Sequence, residues 1–285
     1  MKRAARAIGV EIVPHDTYSP IPLVPPGDEP WSRRASLVGI ELDLAAQLEF
    51  LDATLSRYFA EFDPPHDRAD DGDFFLWNKY YQGVDAEILY AMIRHLKPRR
   101  VLELGSGFST LVTAAACSAN RREGSPAELV AVDPSPRISL RPGPFLSIER
   151  CGAESLPIES YLELGPGDVL FIDSSHTVKL GSEVNFIVLE VLPRLQPGVI
   201  VHFHDIFLPF EYPRAWFDRG TYLSEQYLLH AFLVENPGYE ILLAVHALCR
   251  DHPARLALAL PTLEANRENY PSAFWLVRGG GTSAS

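Results

Sequence analysis

The sequence predicts an α/β protein whose core is a mainly parallel sheet, and three observations predict it. Short apolar runs of strand length alternate with helical stretches beyond residue 85, the pattern of strands joined by crossover helices. Val101-Leu102-Glu103-Leu104 runs into Gly105-Ser106-Gly107 and then into a helical stretch, so a strand turns tightly into a helix. Length and composition allow a sizeable core: 285 residues are 47% hydrophobic, and no apolar stretch nears the roughly twenty residues that cross a bilayer.

Residues 1 to about 35 carry Pro14, Pro20, Pro22, Pro25, Pro26 and Pro30, and so many lost amide donors predict an extended arm. From Leu42 to Phe59, Leu44, Leu48, Leu51, Leu55 and Tyr58 recur in steps of four and three, which puts them on one face of a helix. Residues 63–73 are polar and turn-rich, so 1–73 reads as an arm with a helical extension and 74–278 as the main domain. Phe74, Phe75, Trp77, Tyr80 and Tyr81 follow, a cluster with two readings, core or the lining of a pocket. A helix spans Asp85–Leu96, closed by Pro98.

Beyond it the pattern predicts strands near 101–104, 129–132, 145–150, 169–172 and 199–203, with helices near 109–119 and 182–192. An irregular stretch with Pro209 and Pro213 precedes a helix near Ser224–Glu235, then strands Tyr239–Val245 and Ala273–Val277. Gly279-Gly280-Gly281 opens a flexible tail over 279–285.

Charge and cysteine usage narrow the class. Lys and Arg total 25 against 37 Asp and Glu, a formal charge of −12 without a basic run, which argues against a nucleic-acid partner. The basic start Met1-Lys2-Arg3 leads only into short apolar groups broken by Pro14, so no signal peptide is expected. Cys117, Cys151 and Cys249 are odd in number and far apart, which fits free thiols in a reducing cytoplasm.

The turn after the first strand carries chemistry. Gly105 and Gly107 let backbone approach a ligand closely, and Asp133, closing the strand 129–132, offers a carboxylate to a ribose diol. Thr110 stands where a dinucleotide fingerprint carries a third small residue, so a pyrophosphate ligand is disfavoured. A sulfonium cofactor has no phosphate but has a cation and an amino-acid tail, for which the acid Glu103 is the better match. A nicotinamide-dependent oxidoreductase is the rival that strand, turn and Asp133 alone would permit. Asp133 before Pro134-Ser135, and Asp173 before two serines, also read as turn or helix caps.

Glu103-x-Gly105-x-Gly107 followed by Asp133 resembles the first two motifs of class I S-adenosylmethionine-dependent methyltransferases. Phe171-Ile172-Asp173-Ser174-Ser175-His176, and the run from Leu195 to His204-Asp205, resemble the fourth and fifth strand ends of that fold, and the likeness covers about residues 74 to 277. It implies a three-layer Rossmann-like sheet of seven strands with the last antiparallel, and S-adenosylmethionine as cofactor, held by Glu103, Gly105, Gly107, Asp133 and Glu154.

Within the class, the Asp-x-x-His loop and the acidic position after the fifth strand resemble metal-dependent O-methyltransferases of sugars and antibiotics. That likeness implies a small hydroxylated acceptor, with His176 as a base neutral near pH 7, aided by Asp173. It also implies a divalent ion, magnesium or manganese, on Asp173, His204 and Asp205. His204 departs from the expected carboxylate or amide, and three readings stay open for it: ligand, contact to cofactor or substrate, or a hydrogen bond within its loop. It leaves room for a non-enzymatic binding module, and the arm and extra helix could mediate self-association. His202, in an apolar strand, reads as a packed core histidine.

Overall fold

The fold is that of a computed structural model, which describes residues 19, 21, 26–68, 72–143, 145–260, 262–263 and 270–279. Pro14, Pro20, Pro22 and Pro25 of the expected arm, and the expected tail beyond Gly279, lie outside the described residues.

Among the described residues seven strands form one sheet: β1 (Arg100–Leu104), β2 (Glu128–Val132), β3 (Leu146–Glu149), β4 (Val169–Ile172), β5 (Ile200–Phe203), β6 (Tyr239–Ala244) and β7 (Phe274–Arg278). Their order is β3-β2-β1-β4-β5-β7-β6. The first five run parallel, and β7 pairs antiparallel with both β5 and β6, as the resemblance implies. The strands of the centre are apolar throughout because helices cover both faces. In β4, Val169 and Phe171 join one core, and Leu170 and Ile172 join the other, the alternation a strand imposes.

The extension is part of that core. One helical run comprises Leu44–Phe50, a wide π-turn over Leu51–Leu55, and Ser56–Phe59. Leu48, Leu51, Leu55, Tyr58 and Phe59 pack into the same cluster as Ile88, Leu89, Met92 and Ile93 of the helix Gly83–Leu96. Gln47 accepts the Ala244 amide at 2.9 Å, tying the extension to β6. Packing is therefore continuous across residue 73. The helix Gly83–Leu96 ends on Lys97 in the left-handed region, one residue before Pro98.

Four segments differ from the pattern, one of them a single helical turn over Glu29–Ser32 inside the expected arm, where Pro30 sits in the first turn, which needs no amide from it. The helix expected at 182–192 is α only over Glu183–Phe186, then π over Ile187–Val191 and 3₁₀ over Leu192–Arg194, because Pro193 has no amide to continue the ladder. β6 stops at Ala244, since Val245 already opens a helix, Val245–Asp251, followed by another, Pro253–Ala259. Neither helix was expected: each is short, and Pro253 breaks their common apolar pattern. The stretch after Pro213 is likewise helical over Arg214–Asp218.

Candidate active site

The strand order reverses between β1 and β4, and in an open α/β sheet that reversal opens a crevice beyond the carboxyl strand ends. Gly105, Asp133, Asp173 and His204 are each the first residue past a strand. Each keeps a ladder hydrogen bond of 2.9 Å, to Val132, Glu149, Leu104 and Ile172 carbonyls respectively. The site residues are thus anchored as strand continuations. Gly105 has φ +86°, and a Cβ on it would lie 1.8 Å from the Asp173 carbonyl oxygen, so only glycine lets the ends of β1 and β4 meet.

A cavity of about 970 Å³ covers these ends. Gly105, Gly107, Asp133 and Glu154 line it, as do Asp173, His176, His204 and Asp205. Asp133 holds the glycine turn itself: one carboxylate oxygen accepts from the Ser106 amide and hydroxyl, both at 2.9 Å, and the other from the Ser135 amide at 2.7 Å. A carboxylate has about four acceptor sites, so capacity remains for a ligand hydroxyl. A Cβ on Gly107 would meet nothing within 4 Å. The free space beside it belongs to the cavity, not to the packing of the protein.

Glu103 is the correction in this half. It is fully buried, and the cavity lining does not include it. Its Oε1 accepts from the Ser109 hydroxyl at 2.6 Å and the Thr110 hydroxyl at 3.0 Å, while Oε2 has no partner among the described residues. Strand alternation turns it under the first turn of the helix Phe108–Arg122, where Thr110 also accepts the Gly107 amide at 3.0 Å. Burial pushes the Glu103 carboxyl up to about 8, so it is mostly neutral at pH 7 and does not offer a charge to a sulfonium. It braces the turn instead.

The opposite wall is acid and imidazole. His176 Nε2 lies 3.1 Å from Asp173 Oδ1 and 3.6 Å from Asp205 Oδ2, and its Nδ1 lies 2.8 Å from Glu225 Oε2. His204 Nδ1 lies 3.6 Å from Asp173 and 3.5 Å from Asp205, with its Nε2 3.5 Å from Asp85. Each imidazole therefore bridges a carboxylate behind it and the pair Asp173/Asp205 in front. His176 and Asp205 both have left-handed backbones, φ +53° and +58°, conformations that non-glycine residues adopt only where the surroundings enforce them. Asp205 is also fixed by the Ser272 hydroxyl, which donates to it at 3.0 Å.

Burial alone would lower both imidazoles. For His176, Asp173, Glu225 and Asp205 outweigh it, and for His204, Asp205 and Asp173 do, so both stand well above the usual histidine range. Burial raises Asp173 in turn, but His204 and His176 hold it below the usual carboxylate range. Against the expectation of a His176 neutral near pH 7, the three carboxylates around it favour the imidazolium. Asp173, His176 and Asp205 offer ligand atoms within 4.8 Å of one another, and His204, the histidine expected beside the two carboxylates, also turns its Nδ1 toward both.

Residues 102–206, from within β1 to just past β5, match the family model described as a methyltransferase domain. That stretch of the chain is similar to a methyltransferase domain. An uncharacterized protein of Archaeoglobus fulgidus is 29% identical to this chain over 150 residues, 48% of this chain and 65% of that one. The chain thus spans slightly under two thirds of that relative's length. Among solved structures, the apo form of CmcI-N160 is similar at 15% identity, covering 77% of this chain and 90% of that one, TM-score 0.42. A SAM-dependent methyltransferase from Archaeoglobus fulgidus is similar at 15% identity, covering 71% and 96%, TM-score 0.39.

Of the residues expected at the site, Gly105, Gly107, Asp133, Glu154, Asp173, His176, His204 and Asp205 all reach the cavity, and Glu103 does not. The aromatic cluster divides: Tyr80 and Tyr81 line the cavity, while Phe74 and Phe75 pack edge-on against Phe108. His202 is buried between Phe171 and Trp275, with Tyr81 Oη 3.3 Å away, the core histidine its strand implied. Glu225 and Asp85 escaped sequence reasoning. Each looks like an ordinary acid in the first turn of a helix, and nothing local marks it as backing a histidine.

Proposed function

We propose that this methyltransferase domain moves the methyl group of S-adenosylmethionine to an oxygen of a small hydroxylated acceptor, a sugar or a natural product. The observation that carries the reading is that Asp173, His176 and Asp205 face the same cavity as Gly105, Gly107, Asp133 and Glu154. The residues fit the cofactor on their own terms: free space beside Gly107, spare acceptor capacity on Asp133, and a volume at the upper end of ligand pockets, enough for cofactor and acceptor together. When bound, the cofactor supplies an electrophilic methyl group on a sulfonium. The chain's tasks are then to align an acceptor oxygen with that methyl group and to take the hydroxyl proton as the bond to carbon forms. His176 presents Nε2 to the wall and receives that proton when its ring is neutral. Asp173 and Asp205 orient the ring and the acceptor hydroxyl.

A second reading has its own support. Asp173, His176 and Asp205 fit a divalent ion: three donors converge, and Asp85, Asp173, Asp205 and Glu225 outnumber His176 and His204 two to one. A magnesium or manganese ion there would lower the pKa of the acceptor hydroxyl, and the imidazole nitrogen favours manganese. His176 is then a ligand and not a base. We place the reaction in the cytoplasm, in keeping with three unpaired cysteines and with no helix among the described residues long and apolar enough to cross a membrane.

Titration with S-adenosylhomocysteine, then a mass-spectrometric screen of sugars and phenolic natural products for a gain of one methyl group, tests the reading. Absence of cofactor binding refutes it. Turnover that resists EDTA assigns His176 as base, and turnover lost to EDTA and restored by manganese assigns it as ligand.

A further inference from the structure

We infer that Glu225 is the positioning residue of the catalytic wall: it holds the His176 ring from behind so that Nε2 faces Asp173 and Asp205. The inference rests on the reading that His176 works at that wall, as base or as ligand.

Glu225 is the first residue of the helix Glu225–Leu233 and is fully buried. Its Oε2 lies 2.8 Å from His176 Nδ1, and Oε1 has no partner among the described residues. A buried carboxylate with one oxygen unsatisfied is costly, and an apolar residue of similar size would pack there without that cost. Among the described residues, the contact with His176 is the one thing the carboxylate does that such a residue would not. Because Nδ1 is engaged by the carboxylate, the ring cannot turn to present that nitrogen to the cavity.

The backbone makes the same connection. The His176 carbonyl accepts the Ser224 and Glu225 amides, at 2.9 and 3.1 Å, so the loop after β4 occupies the amino end of this helix. The Ser224 hydroxyl accepts the Val178 amide at 2.8 Å. These bonds enforce the left-handed conformation of His176, and the side-chain contact then sets the ring. Asp85 stands behind His204 at the longer distance of 3.5 Å, outside hydrogen-bond range, so the tight pairing is that of Glu225. A carboxylate on the far nitrogen of a working imidazole fixes its orientation and raises its basicity, in metal sites and in catalytic triads alike.

Proton NMR of the wild-type protein should show a low-field, solvent-shielded imidazole N–H that is missing from His176→Asn. Glu225→Gln should move or abolish that signal, Glu225→Asp should partly restore it, and thermal midpoint and S-adenosylhomocysteine affinity should stay near wild type. Manganese affinity, by calorimetry, should fall about 10–100-fold in Glu225→Gln. A wild-type spectrum without the signal, or a signal unchanged in Glu225→Gln, overturns the inference. If the signal behaves as expected but the wild type binds no manganese, Glu225 keeps its role and the metal reading falls.

Discussion

Replacing the two glycines of the turn by alanine should separate architecture from ligand binding. In Gly105→Ala the new Cβ would sit 1.8 Å from the Asp173 carbonyl oxygen, a backbone atom, at φ +86°. The left-handed backbone costs an alanine about 1–2 kcal/mol, and parting two strand ends joined by ladder bonds adds a similar amount, about 3 kcal/mol together. At ~2–4 °C per kcal/mol for a domain of this size, the thermal midpoint should fall by about 6–12 °C. Cofactor affinity should fall with it, since Asp173 is displaced. Gly107→Ala meets nothing within 4 Å and should leave the midpoint unchanged, yet weaken S-adenosylhomocysteine binding, because its methyl group enters space reserved for the ligand. Calorimetry and thermal melts on both variants decide the matter. A Gly105→Ala protein as stable as wild type, or a Gly107→Ala protein with full cofactor affinity, would refute the account of the turn.

His176→Ala should lower turnover about 10²–10⁴-fold while S-adenosylhomocysteine affinity, by titration, stays nearly intact. Glu103→Gln should bind cofactor as wild type does in the same titration. In urea it should be equally stable or more so, with a gain that grows as pH rises toward about 8, because a raised carboxyl loses stability above its unfolded value. Stability of the wild type should fall on the alkaline side. His176 and His204 are raised, so their contribution is full below the unfolded value of about 6.5 and is lost as pH rises through the folded ones. Urea unfolding across pH should show that slope, and His176→Asn should flatten it.

The fold was legible because its signals are local. The apolar runs of β1, β2 and β4, the Gly105-Ser106-Gly107 turn and Pro98 each act within a few residues, and the motif residues follow from where strands end. What stayed hidden depends on distance or direction. Glu225 and Asp85 reach the wall from helices 49 and 119 residues away from the histidines they back. Glu103 shares the motif but faces the helix instead of the crevice, a matter of which side of β1 its side chain leaves. The helices over Val245–Asp251 and Pro253–Ala259 are too short for their period to register.

Asp85 has a further consequence. Its carboxylate accepts the Ser272 amide, at 3.1 Å from each oxygen, and the Ala273 amide at 3.0 Å, and the same group stands behind His204. The entry to β7 and the reactive wall therefore share a fastening. Editing the chain just before β7, by fusion or permutation, would be felt on the His204 side of the cavity as well as in the sheet.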